Sequence, residues 1–183
     1  MVAPDTTYAA LVRAPADIGA VAALRRPIVA AVVLGAGMAL SSTRHVTPSL
    51  VLSTTVTWSF VVMLQVAIAL AVIPGAAAAR VGRARTLDLF FASHAPWSLW
   101  VLFAAVWGAM LIGHPFKPVW LAALVPIALT PRIIAAFFRQ VLGLDGRRAA
   151  VRTLVHQALT WGLFVSIFGA AVALWPRVLQ VIR

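Results

Sequence analysis

The 183 residues are 63% hydrophobic and only 10% charged, a balance that excludes an ordinary water-soluble domain, whose surface needs far more polar residues. The basic excess is steep, fifteen Lys and Arg against four Asp and no Glu, for a formal net charge of +11. Because the basic residues flank apolar runs, they point to membrane orientation and anionic lipid headgroups, and nucleic acid is not expected as a partner. No cysteine is present, which removes disulfides, thiolate metal sites and cysteine nucleophiles together.

Residues 1–26 are of mixed polarity, with Asp5 and Asp17, and read as a short cytoplasmic segment that is partly an amphipathic helix, not as a secretory signal. Residues 27–176 then read as a five-span membrane domain, followed by an external tail over 177–183. Span one, 27–43, is about 25 Å long as a helix, short for a ~30 Å hydrocarbon core, so Val21 to Leu24 and the stems of Arg25 and Arg26 supply the missing turn. Span two, 49–74, stops at Pro74-Gly75, where proline cannot continue the ladder. Span three, 89–113, closes at His114-Pro115. Span four runs over 119–138, with Pro118, Pro126 and Pro131 predicting a kink of the kind that lines sites in transporters. Span five, 153–175, ends at Pro176.

The Lys and Arg count in alternating loops sets the orientation. Ten fall on one side (Arg13, Arg25, Arg26, Arg80, Arg83, Arg85, Arg139, Arg147, Arg148, Arg152) and four on the other (Arg44, Lys117, Arg177, Arg183), with Arg132 near the inner end of span four. The rich side is cytoplasmic, which puts the N-terminus inside and the C-terminus outside. The fold class is therefore all-α, a polytopic bundle of five transmembrane helices.

Small residues recur at helical spacing: Gly35 with Ala39, Gly37 with Ser41, and Gly162 with Ser166 and Gly169. Such faces let helix backbones approach closely in lipid. Trp97, Trp100 and Trp107 lie within roughly 80° of one another on span three and read as a bulky packing stripe, with a pigment or cofactor wall as the alternative.

Polar groups inside lipid are costly, so each is a candidate site. Arg132, just after Pro131, either snorkels to the headgroups, pairs with Asp88 at the same depth, or contacts a substrate or lipid phosphate. Asp88 opens span three, where an acid in the first turn complements the helix dipole with Thr86 as a cap. His94 and His156 sit at comparable depth on spans three and five, so both could ligate one haem b iron axially; hydrogen bonds to carbonyls or headgroups are the alternative. No HExxH, GxSxG, intramembrane aspartate pair or glycine-rich phosphate loop appears, and no catalytic residue or metal site is nominated.

Three stretches resemble a known family. Ala14-Pro15-Ala16-Asp17, followed by Ala22-Ala23-Leu24-Arg25-Arg26-Pro27, resembles the short amphipathic segment that leads into span one of the Yip-type membrane proteins. Thr86-Leu87-Asp88 and Ala92-Ser93-His94-Ala95-Pro96 are similar to that family's stretch after a basic loop. Arg139 to Ala149, with a Leu142-Gly143-Leu144 turn, resembles its connection between spans four and five. The chain lacks the long polar N-terminal region that links eukaryotic members to Rab GTPases and so looks like a short, bacterial version. His94 stands where an aromatic is commoner. The resemblance implies a multi-pass protein of the bacterial cytoplasmic membrane that contacts other integral membrane proteins, or copies of itself, without catalysing a reaction. A transporter or channel component and a haem-bearing electron carrier are the other two functional expectations.

Overall fold

The computed structural model describes residues 3–14, 19–75, 80–110 and 117–182, and among them there are helices, turns and short loops but no strand. Asp17, the His114-Pro115 stop and Arg183 lie outside the described residues. The helices are α1 (Pro4–Arg13), α2 (Ala20–Ala23), α3 (Arg25–Thr43), α4 (Pro48–Val72), α5 (Arg83–Ala92), α6 (Ala95–Met110), α7 (Lys117–Ala122), α8 (Leu124–Gln140) and α9 (Gly146–Ile182).

Local chemistry accounts for most boundaries. Pro48 supplies the fixed φ of a first helical residue, and the Thr47 hydroxyl accepts from the Leu50 amide at 3.3 Å, so α4 starts sharply. Arg44 closes α3 in a left-handed conformation, φ 63°. Asp145 begins α9 by accepting from the Arg148 amide at 2.8 Å, just after Gly143 turns the chain at φ 66°.

Among the described residues three helices, Val21–Ser41, Pro48–Val72 and Pro118–Gln140, are long and apolar enough to cross a membrane, and α5 with α6 makes a fourth if that bent pair is one span. Two expectations are corrected. The third apolar run is not one helix: it bends by 43° between Ala92 and Ala95. The fourth is interrupted by a turn at Ala123, three residues before Pro126, with Pro131 held inside α8. The fifth does not end at Pro176, because α9 runs on to Ile182, 37 residues in all. A further correction concerns Asp88. Gly82 caps α5, Thr86 lies inside the helix with its hydroxyl donating to the Gly82 carbonyl at 2.8 Å, and Asp88 therefore sits beyond the first turn.

Long-range contacts gather alternating helix ends. Arg26 at the head of α3 meets Asp88 of α5, Arg152 of α9 donates to Val72 O at the tail of α4, and Arg139 at the tail of α8 meets Asp5 of α1. Successive long helices thus alternate in direction, and the arginine-rich ends lie together. The main core sits at this end: Tyr8, Val72, Leu89, Phe90, Ile134, Phe137, Phe138 and Ala149 are all buried there. Where lipid is the solvent, dispersion and ring geometry hold such a cluster more than water exclusion does. Phe137 meets both Tyr8 and Phe90 edge-on, with centroids 6.0 and 5.6 Å apart.

Candidate functional site

Asp88 is a buried carboxylate held from several sides. Its side chain is 0% exposed, and its Oδ1 receives Arg26 Nε at 2.6 Å, with Arg25 Nε at 3.6 Å. Oδ2 faces Arg85 Nη1 at 3.4 Å, and Arg85 also donates from Nη2 to the Leu11 carbonyl at 3.2 Å. Three guanidiniums therefore converge on one carboxylate, and Arg132 is not among them. Arg132 is exposed on α8 and makes no ion pair or hydrogen bond among the described residues, so the expected Arg132–Asp88 pair is replaced by three partners from α3 and α5.

His94 and His156 are brought together. His94 occupies the bend between α5 and α6, where Ser93 Oγ donates to Phe90 O at 2.6 Å and competes with the helical ladder. Its ring stands 5.4 Å from that of His156 on α9, and Phe90 touches both, at 5.0 and 5.5 Å. His94 Nδ1 lies 3.3 Å from Phe90 O, an acceptor for an Nδ1–H, while Gln157 Nε2 lies 3.5 Å from His156 Nδ1. The Nε2 atoms of both rings are buried and make no hydrogen bond among the described residues. Axial ligation of one haem needs a macrocycle between the two imidazoles. Here the rings pack directly on one another with Phe90 as their common neighbour, so the arrangement does not fit that cofactor.

The small-residue positions divide into two kinds. Gly35 is used inside the bundle: a Cβ there would meet the Thr55 backbone at 2.7 Å, and Thr54 Oγ1 lies 2.8 Å from Gly35 O across the α3–α4 contact. Gly162, Ser166 and Gly169 are exposed on α9, and a Cβ at either glycine meets nothing within 4 Å. The tryptophan stripe also packs between helices: Trp97 contacts Trp161 of α9 at 5.6 Å, and Trp100 donates its indole N–H to Val119 O at 2.9 Å.

The docking of α1 was not anticipated. Arg139 grips Asp5 through Nε and Nη2, at 2.8 to 3.1 Å, and Gln140 adds a bond at 3.2 Å. The Arg139 hydrogen bonds hold the Asp5 carboxyl below its ordinary value, outweighing the opposing effect of burial. Tyr8 is buried with its hydroxyl donating to Leu89 O at 3.2 Å, and burial raises its phenol above the usual range. The available signal was the pattern of Asp5 and Tyr8 three residues apart on one face of a helix opened by Pro4. No protein-family model, curated protein or solved structure matches this chain.

Proposed function

We propose that the chain is a non-enzymatic, five-span integral membrane protein of Yip type, lying in a bacterial cytoplasmic membrane with its N-terminus inside and C-terminus outside. It acts as an interaction subunit that holds a transmembrane helix of another membrane protein against α9. One contrast carries this reading. The chain has small-residue faces at Gly35 and along Gly162, Ser166 and Gly169, and the first is filled by α4 while the second has open space above it. Apart from the Trp161 contact with Trp97 of α6, the described side chains from 161 to 167 lie exposed, and at about 1.5 Å per residue the 37-residue α9 extends some 55 Å, well beyond the part that packs on α4 and α8. In lipid, a small-residue face contributes through close backbone approach, which needs a second helix.

Because the sequence has no cysteine, Ser166→Cys introduces a single thiol at the centre of this face. A bifunctional cross-linker in native membranes should join it to one discrete partner, and Gly162→Leu with Gly169→Leu should abolish that product while leaving insertion intact. A product of twice the chain mass assigns the face to a second copy. No cross-link at Ser166, alongside an efficient one from a control position on α4, refutes the reading. Reporter fusions after Arg183, active only outside, test the topology.

Transport is the second reading, favoured by the 43° bend that places His94 beside His156 within the helix bundle. Ion or proton flux in reconstituted vesicles, lost in His94→Ala, is its test.

A further inference from the structure

We propose that Arg25 and Arg26, drawn together by Asp88, form a binding site for the phosphates of an anionic phospholipid, best matched by a headgroup carrying two of them. The argument starts with charge. Arg25, Arg26 and Arg85 surround the single carboxylate of Asp88, so two positive charges in the cluster remain uncompensated. No other described acid is free to neutralise them, since Asp5 is held by Arg139 and Asp145 by Arg148.

Geometry then says which atoms are on offer. Arg25 and Arg26 both approach Asp88 through Nε, and their terminal Nη1 and Nη2 groups make no hydrogen bond among the described residues. Their side chains are 61% and 40% exposed, whereas that of Arg85, at 13%, is committed to Asp88 and Leu11 O. The Arg26 hydrogen bond holds that guanidinium at Nε and leaves its Nη edge presented as a planar fork, the arrangement that takes a phosphate through two parallel N–H···O bonds, while Arg25, at 3.6 Å, is drawn beside it by charge and keeps all its donors free among the described residues. The cluster stands where α3 begins, within the first turns of the apolar helix Val21–Ser41. That level is where phosphodiester groups lie, and basic pockets between transmembrane helices recognise them there. Two uncompensated charges match two phosphodiesters, one for each fork.

The test is native mass spectrometry of the intact chain, released from detergent with equal amounts of diphosphatidylglycerol, phosphatidylglycerol and phosphatidylcholine, and separately with inorganic phosphate. The two-phosphate lipid should be retained most strongly, phosphatidylglycerol less, and phosphatidylcholine at background. Arg25→Gln is the informative variant, because Asp88 keeps its closer partners Arg26 and Arg85 and the fold is left intact, as an unchanged thermal melt will verify. It should weaken diphosphatidylglycerol binding about tenfold, the scale of one bidentate charge-assisted contact. Arg25→Lys, which keeps the charge without the fork, should recover only part of the loss. Retention equal to the parent in Arg25→Gln, equal binding of phosphatidylcholine, or inorganic phosphate displacing the lipid at matching concentration would each overturn the proposal. So would loss of binding in Arg132→Gln but not in Arg25→Gln, which moves the contact to α8.

Discussion

Replacing Asp88 with leucine removes the only carboxylate from a cluster of three guanidiniums. Breaking a buried ion pair by deleting one partner costs about 3–5 kcal/mol, because the other charge is left uncompensated. The partners differ in how far they can escape that penalty. Arg25 and Arg26 are 61% and 40% exposed and can turn toward water and headgroups, while Arg85, 13% exposed, stays beneath α1. The loss should therefore fall at the lower end, about 3 kcal/mol. Thermal unfolding in mild detergent measures it, and a double-mutant cycle assigns it. Asp88→Leu with Arg85→Leu should be less destabilised than the sum of the single variants, since removing both leaves no buried charge stranded and the exposed Arg25 and Arg26 can turn outward. Asp88→Leu with Arg132→Leu should be additive within about 0.5 kcal/mol, as expected for groups that share no contact. Coupling between Asp88 and Arg132 above that level, or an unchanged melt in Asp88→Leu, would refute this account of the cluster.

Gly35→Leu must push α3 off α4 and break the Thr54 contact, so a loss of about 3 kcal/mol or failure to accumulate is expected, whereas Gly162→Leu should change the melt by less than about 0.5 kcal/mol. Because Arg139 holds the Asp5 carboxyl below its ordinary value of 3.8, the docking of α1 gains stability that is fully present above that value and is lost as pH falls through the lower folded value. A fluorophore on α1 should report release only below about pH 4, and Asp5→Asn should remove the dependence. His94→Phe replaces a ring whose Nε2 is buried without a partner, so the melt should stay within about 1 kcal/mol of the parent; a larger loss would reveal a bound group on that nitrogen.

The apolar runs and their polar breaks were legible because lipid imposes a simple rule: helical length, low charge and a stop signal at each end. Where the stop is local, as with the Thr47 cap and Pro48, the expected and observed starts of α4 differ by one residue. The break in the third run had the quieter signal. The fourth run carries three prolines and is interrupted at Ala123, with Pro126 in the first turn of α8, where its missing N–H costs little. At the third run, Pro96 disfavours helical geometry in the residue before it, and Ser93 offers its carbonyl-bonding hydroxyl one turn earlier. Together they bend the chain at His94.

The partner of Asp88 illustrates a different limit. Depth along a helix can be counted from sequence, and by depth Arg132 was a reasonable match. Rotation about the helix axis cannot be counted until the neighbours are known, and α8 turns Arg132 away while burying Ile133, Ile134 and Phe137. The arginines that do reach Asp88 include Arg26, 62 positions earlier in the chain, brought there because α2 and the head of α3 pack against α5. What the composition did contain was the imbalance itself. With fifteen basic residues and four acids, a buried carboxylate at the arginine-rich end of the bundle attracts several guanidiniums, and most of their positive charge must be answered from outside the chain. The identities at Asp88 required the fold, but the surplus that makes Arg25 and Arg26 available to a phosphate is a property of the sequence.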